Sequence, residues 1–388
     1  MIHDPTGIAA AIAAATMLAF WLDRRFAWAS RLGATLLVII LGALLSNLGL
    51  VPAESPVYDV VTGPVTSLAI VWLLLAVDVR ELRTAGPRML AAFGLAAVAT
   101  VVGTTAATVL FGGAAGPDAW KLAGALTGSY IGGGLNFVAV GRAVEMPDSL
   151  FAAAIAADNL MTAVWFGVTL TLPAWLSRST RMAPRAADGG TPAPPADVRS
   201  TETGAPAHPF FSPVPLKLLD VSILITLGLV VLRAAQLAAD LAPAVPEILW
   251  LTTFGLAVGQ LPPVRRLVGA IHLGSLALHS FFAVIGIGSR VAEVARVGPE
   301  VFYFVALAVV VHGVVLYGGA WLARIDAATA SVASQAAIGG PSTALALAVA
   351  RDWRSLVLPG TVAGLLGYAI GTYAGMAMAY AARGLIGG

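Results

Sequence analysis

The chain has no cysteine and very little charge. Without cysteine there is no disulfide, no zinc–thiolate site and no thiol nucleophile. Charged residues make up 11% of its 388 residues, against roughly 25% in a soluble globular domain. Water cannot solvate a surface so poor in charge, which leaves lipid as the solvent. Enzyme motifs are also missing. There is no HExxH, no Walker phosphate loop and no GxSxG elbow, so the chain is expected not to be an enzyme and to need no cofactor beyond a bound ion. The basic residues sit between apolar runs and form no basic face, which excludes nucleic acid as a partner. A cleavable leader is not evident either. The first apolar run, Gly7–Leu22, follows Asp4 and precedes Asp23-Arg24-Arg25, the reverse of a signal sequence's charge order.

What fills the chain instead is apolar runs. They are Gly7–Leu22, Leu32–Leu50, Val57–Val77, Met89–Phe111, Trp120–Val144, Ser149–Leu176, Leu216–Ala239, Glu247–Leu261, Leu267–Val291, Val301–Ala323, Ala327–Ala350 and Ser355–Ala382. Most approach the ~20 residues that cross a ~30 Å hydrocarbon layer. The reading is an all-α, multi-pass protein of the lipid bilayer. The Ala-rich, Lys-poor composition points to a bacterium, and so to the inner (cytoplasmic) membrane. Trp28, Trp120, Trp175, Trp250 and Trp353 stand at run ends, as interfacial anchors do.

One stretch, 177–215, is rich in proline and cannot bury enough apolar surface to fold. It reads as a disordered, cytoplasmic linker between membrane repeats 1–176 and 216–388. The two repeats match in order. TSLAIVWLLLAVDVREL (66–82) resembles GSLALHSFFAVIGIGSRV (274–291), GSYIGGGLNFVAVGRA (128–143) resembles AAIGGPSTALALAVA (336–350), and DSLFAAAIAADNLM (148–161) resembles RSLVLPGTVAGLLG (354–367). The nearly constant offset points to gene duplication. Basic residues prefer the cytoplasmic side. If all twelve runs cross, they show no bias. If the two Gly-broken runs are hairpins, most of them gather on one side, Arg24, Arg25, Arg31, Arg80, Arg83 and Arg88 among them. That arrangement, ten crossings and two hairpins with the repeats inverted, is preferred.

The glycine breaks carry the first functional signal. Gly132-Gly133-Gly134 and Gly339-Gly340-Pro341 interrupt apolar runs near mid-depth. Glycine and proline both weaken a helix there. Matched breaks in two repeats are a pointer to a transport site. The half-helices that start at Asn136 and at Pro341-Ser342-Thr343 present free N–H groups and a positive dipole end, suited to an anionic solute. The carbonyl ends near Thr127 and Ser129, and near Ser334 and Gln335, suit a cation. Packing of tight helices is the simpler alternative. Asp158, followed by Asn159, is the one carboxylate deep in a long apolar run. Such a charge is costly and marks an ion or proton site, with Na+ as a candidate ligand, unless it only hydrogen-bonds structurally. His279 and His312 also lie in apolar runs, where structural hydrogen bonding is the ordinary role. GYAIGTYAG (367–375) reads as a packing face.

At these residues the chain resembles the membrane family of domain of unknown function 819, through GSYIGGGLNFVAV, AAIAADNLM (153–161), IGGPSTALALA (338–348) and LPGTVAGLLGYAIGTYAG (358–375). That family is grouped with the cation/proton antiporter and anion transporter superfamily. The resemblance implies an elevator-type fold of inverted repeats, a homodimer, broken helices that cross, and an acidic pair at Asp158-Asn159 that binds the ion. The chain departs in having Asp-Asn, and no Lys or Arg inside its last apolar run. The expected function is secondary active transport of a small organic anion, coupled to Na+ or H+. The alternatives are a monovalent cation/proton antiporter and a non-transporting membrane scaffold.

Overall fold

The computed structural model describes residues 2–52, 54–114, 116–179, 181–183, 215–288 and 291–386. Most of the Pro-rich linker, 184–214, lies outside them. The described residues form helices: Pro5–Arg25 (α1), Ala27–Asn47 (α2), Pro56–Val60 (α3), Thr66–Leu75 (α4), Leu82–Phe111 (α5), Ala119–Ala143 (α6), Asp148–Leu176 (α7), Leu218–Leu241 (α8), Glu247–Gly259 (α9), Ala270–Gly288 (α10), Val291–Ala323 (α11), Ala327–Ile338 (α12), Gly340–Ala350 (α13) and Arg354–Ile386 (α14). Each falls on one of the apolar runs. A π turn, Val61–Val65, joins α3 to α4. It holds Pro64, whose missing N–H removes a rung of the ordinary ladder. Eight of the described spans are long and apolar enough to cross a membrane, so the chain is a polytopic membrane protein. Leu32–Asn47 and α9 are shorter apolar helices beside them.

The helices sort into two bundles. One holds α1, α2, α3, α4, α8, α9 and α10; the other holds α5, α6, α7, α11, α12, α13 and α14. Small residues set how closely they approach. On α2, Gly42 lies against the Ala283 carbonyl of α10, and Gly286 of α10 returns the contact to the Ile39 carbonyl. In the second bundle Gly103 of α5 meets the Ala308 carbonyl of α11. No side chain fits at such crossings, which is how membrane helices gain contact without a hydrophobic drive. On one side of the molecule the end of α4 is clasped to the end of α9. The Gln260 side chain accepts from Val79 N–H (2.9 Å) and donates to the Val77 carbonyl (2.9 Å). Arg265 pairs with Asp78 at 2.7 Å and holds that carboxyl below the usual carboxylate range.

Both glycine breaks reverse the chain. Lys121 Nζ, at the start of α6, donates to the Glu145 carbonyl just past its end, at 2.9 Å. A straight helix would hold these residues ~36 Å apart, at about 1.5 Å per residue. A Cβ on Gly128 would sit 3.1 Å from the Asn136 carbonyl. The α6 segment is therefore a hairpin of two stems that turn at Gly132 (φ −141°) and Gly133 (φ 70°). The pair α12–α13 does the same at Gly339 and Gly340 (φ 79°). Thr343 Oγ1 donates back to the Gln335 carbonyl at 2.8 Å. A Cβ on Gly360 would touch both Val332 and Ala344, which a straight helix would separate by ~18 Å. The left-handed φ at Gly133 and Gly340 is one that side chains rarely adopt. Broken helices that cross, as the family resemblance implied, are not what this chain forms.

The long helix α14 runs past both turns. Gly364 packs on Gly340-Pro341, Gly367 on Ile131-Gly132, Gly371 on the Asn136 side chain and the Gly128 carbonyl, and Gly375 on the Gly124 carbonyl. The stripe read as a packing face is one, and what it packs against is the first hairpin.

Two predictions follow from these contacts. In this cysteine-free chain, cysteines at Lys121 and Glu145 will be joined by a short bis-maleimide; failure to join them would restore a crossing helix. Gly367→Ala will destabilise the purified protein by about 1–3 kcal/mol, as overpacking does. Gly94→Ala, with nothing near its Cβ position, will not lower the melting temperature, since alanine favours the helix interior.

Candidate functional site at the hairpin turns

The two turns face one side chain. A Cβ on Gly133 would lie 3.2 Å from Tyr368 Cε1, and one on Gly340 3.5 Å from the Tyr368 hydroxyl oxygen. Tyr368, on α14, thus stands where the two breaks meet. Sequence reasoning passed over it. The available signal was an aromatic hydroxyl inside an apolar run, flanked by Gly364 and Gly367.

The residues picked from sequence divide into those tied into the framework and those still open. Asn136 is fully buried. Its Nδ2 donates to the Gly132 carbonyl (2.6 Å), and its Oδ1 accepts from Thr372 (2.6 Å). It clamps the first turn to α14. Thr127 is also fully buried. Its hydroxyl lies 2.8 Å from both the Ala123 carbonyl and Thr104 Oγ1. Thr343 closes the second turn through the Gln335 and Gly340 carbonyls. Gly134 is exposed with nothing near it. Pro341 and Ser342 are partly exposed, at the start of α13.

Asp158 is on α7, one helix away from the turns, and is partly buried. Ser129 Oγ donates to its Oδ2 at 3.2 Å and Thr162 Oγ1 to its Oδ1 at 3.3 Å. The Tyr130 hydroxyl, 1% exposed, lies against the same carboxylate and has no partner at hydrogen-bond distance. Asn159 Nδ2 is buried and unpartnered as well. Among the described residues no cation pairs with Asp158. Of the residues read as ion-binding, Ser129 reaches Asp158 while Thr127 bonds to Thr104 and Ala123, and Tyr130 joins Asp158.

A second buried group ties the two hairpins to each other. Trp165 Nε1 donates to Ser334 Oγ at 2.9 Å. Ser334 Oγ lies 2.9 Å from His312 Nε2, and His312 Nδ1 lies 3.0 Å from Thr100 Oγ1, which donates to the Tyr130 carbonyl at 3.0 Å. The carbonyl end fixes the tautomer. A carbonyl can only accept, so the Thr100 hydrogen is used there and Nδ1–H donates to Thr100. As a neutral imidazole His312 thus carries its proton on Nδ1, and Nε2 accepts from Ser334, whose oxygen takes the indole N–H. It bridges the first stem of one hairpin to the first stem of the other. His279 is a structural histidine of the other bundle, 2.8 Å from the Ser275 carbonyl.

A cavity of about 610 Å3 opens on the side where α6 begins and ends. Glu54, Asp59, Glu145 and Asp148 line it together with Arg142, and Tyr58 and Phe151 form part of its wall.

The family profile of "Protein of unknown function (DUF819)" matches residues 10–385. The chain belongs to the DUF819 family. It is also similar to the "Uncharacterized membrane protein YjcL" of Bacillus subtilis (strain 168), at 30% identity over 372 residues, which is 92% of this chain and 91% of that protein. The DUF819 match spans both hairpins, α7 and α14, so the site lies wholly inside the family's common region.

For this DUF819 member, His312→Ala and Ser334→Ala should each cost about 1–3 kcal/mol, since each strands buried polar partners. The double variant will lose less than the sum by about 1 kcal/mol in thermal or denaturant melts. Strict additivity would show that the two do not share one network.

Proposed function

We propose that this chain is a secondary active transporter of a small organic anion in the bacterial cytoplasmic membrane, coupled to Na+ or H+ through Asp158. The observation that carries it is the meeting of two glycine-broken turns at Tyr368, with an uncompensated carboxylate one helix away. Interrupted helices inside a bilayer are tolerated only where protein buries them or a polar cavity opens on them. Matched interruptions in the two halves of a transporter place substrate between them. The second stems begin at Leu135-Asn136 and Pro341-Ser342, and with Tyr368 they would receive the anion.

The repeats support an inverted two-fold fold. The Thr104–Thr127 contact of the first half corresponds, at nearly the same offset, to His312–Ser334 of the second. The packing pairs exchange too: α2 with α10 and α9 with α4, α7 with α11 and α14 with α5. Five through-running helices in the first half would carry the second half in upside down. Both hairpins and Asp158 belong to one bundle, which in this reading moves past the other as an elevator. The superfamily of cation/proton antiporters and anion transporters is the group in which we place it.

A second reading, a monovalent cation/proton antiporter without organic substrate, has one observation in its favour: the cavity carries four carboxylates against one Arg142.

The test is thermal stability of the detergent-purified protein against a panel of small organic anions, followed by counter-flow of a labelled hit in proteoliposomes. A ligand at 100 times its Kd raises stability by about 2.7 kcal/mol. We expect a hit and exchange of label, with uphill uptake lost in Asp158→Asn. An ion response with no anion hit would favour the antiporter. No response of either kind would remove the case for transport.

A further inference from the structure

We infer that the ion taken up at Asp158 is a proton and not Na+, an assignment that rests on the transporter reading above and sharpens it.

A hard cation needs several oxygen lone pairs at once. In transporters with interrupted helices, unwound backbone carbonyls supply them. In this chain those carbonyls already accept hydrogen bonds from side chains. Thr100 Oγ1 donates to the Tyr130 carbonyl (3.0 Å), Asn136 Nδ2 to that of Gly132 (2.6 Å), and Thr343 Oγ1 to those of Gln335 (2.8 Å) and Gly340 (3.1 Å). The Ile131 carbonyl is pressed against Gly367. Of the carbonyl ends that the sequence offered as a cation site, that of Gln335 is capped, while its side-chain Oε1 is buried without a partner.

Asp158 itself is surrounded by donors. Ser129 and Thr162 each point an O–H at one carboxylate oxygen, so a lone pair on each oxygen is already engaged. The neighbouring unpartnered atom on α7 is Asn159 Nδ2, a donor. The Tyr130 oxygen fits a proton better. It is 1% exposed, lies beside the carboxylate and has no partner. It can donate to the carboxylate, and it can accept the O–H of the neutral acid. One side chain therefore serves both protonation states.

The surroundings offer no competing titration. The helices packed on α7 are α2, α6, α10, α11, α12 and α13. Their buried titratable groups are Tyr130 on α6, His279 on α10, and His312 and Tyr317 on α11. His312 is locked in its hydrogen-bonded chain, and the Tyr317 hydroxyl is 2.7 Å from Ser331. Arg142 and Asp148 lie at helix ends, Glu300 is the tenth residue of α11 with a buried, unpartnered Oε2, and no Lys, Arg, Asp or Glu among the described residues acts on Asp158. The step is simple and balanced. The carboxylate takes one proton from water on one face, forming an O–H bond at an Oδ, and returns that proton to water on the other face. One proton moves per cycle, together with the charge of the anion it accompanies.

The test uses the full-length protein in detergent and in lipid. Infrared difference spectra across pH will show the C=O stretch of a protonated carboxylic acid that is lost in Asp158→Asn. The wild-type melting temperature at fixed pH and ionic strength will be the same in NaCl and in choline chloride. A Na+-dependent rise at fixed pH that disappears in Asp158→Asn would overturn the proton assignment and leave the transporter reading standing. A carboxylic-acid band unchanged in Asp158→Asn, with no Na+ response, would overturn both. If that variant does not fold, the wild-type comparison of the two salts decides alone, a Na+-dependent rise sinking the proposal and its absence together with a titrating band supporting it.

Discussion

Everything in this molecule depends on one requirement: a chain that turns inside a bilayer must satisfy its freed backbone groups without water. An unpaired polar group in hydrocarbon costs several kcal/mol. Two turns expose several such carbonyls each, enough to exceed the 5–15 kcal/mol that holds a typical protein together. The chain answers with side chains placed for the purpose. Asn136 reaches its own turn at Gly132, Thr343 reaches back across the second turn to Gln335, and Thr100 comes from a neighbouring helix to Tyr130. The glycine stripe of α14 belongs to the same solution, because only a surface without side chains lets helix backbone seal against the first turn.

This requirement also limits which polar residues are free for function. The second bundle looks rich in candidates, but Thr127, Asn136, Thr343 and His312 are all tied into the framework. His312 shows the principle most fully. With an acceptor-only carbonyl at the far end of its chain, the ring nitrogen Nδ1 is held as the donor. Open capacity remains at Asp158, Tyr130 and Asn159, at Gln335 Oε1 and Glu300 Oε2, and at the Tyr368 junction. Burial alone does not separate the two groups; the direction of each hydrogen bond does.

The sequence was legible where a property depends on depth in the bilayer. Each apolar run became helix, and the breaks at Gly132-Gly133 and Gly339-Gly340 became turns, because glycine and proline act locally. The reversal of the chain at those turns was legible through the positions of Arg24, Arg25, Arg80 and their companions, since a basic residue records which side of the membrane its loop occupies. The family resemblance pointed the other way, to crossing helices, and the Lys121–Glu145 contact decides for reversal. Partners were not legible. Nothing in the string places Thr100 beside Tyr130, or Tyr368 beside both breaks, because these pairings depend on which helices pack together. Asn136 was read as facing solute for the same reason: its position at a half-helix start was visible, while Thr372, 236 residues away, was not.

The absence of a counter-cation at Asp158 bears on how such a site would move. In the proposed mechanism one bundle slides past another across an apolar seam, and a bare carboxylate there would be opposed by a penalty of about 2.5–3.5 kcal/mol even on the mildest scale. A Lys or Arg in the last apolar run would offset that charge permanently and let the site move in either state; this chain has none there. Neutralisation must then come from the transported species itself. A proton on Asp158 supplies it fully when solute is aboard, with Tyr130 able to accept the new O–H, and after the proton has left, the empty site returns with its carboxylate held by the hydroxyls of Ser129, Thr162 and Tyr130. The departure from the antiporter pattern thus fits the coupling: with no fixed cation, Asp158 is neutralised by the proton on the loaded passage and solvated by hydroxyl donors on the empty one.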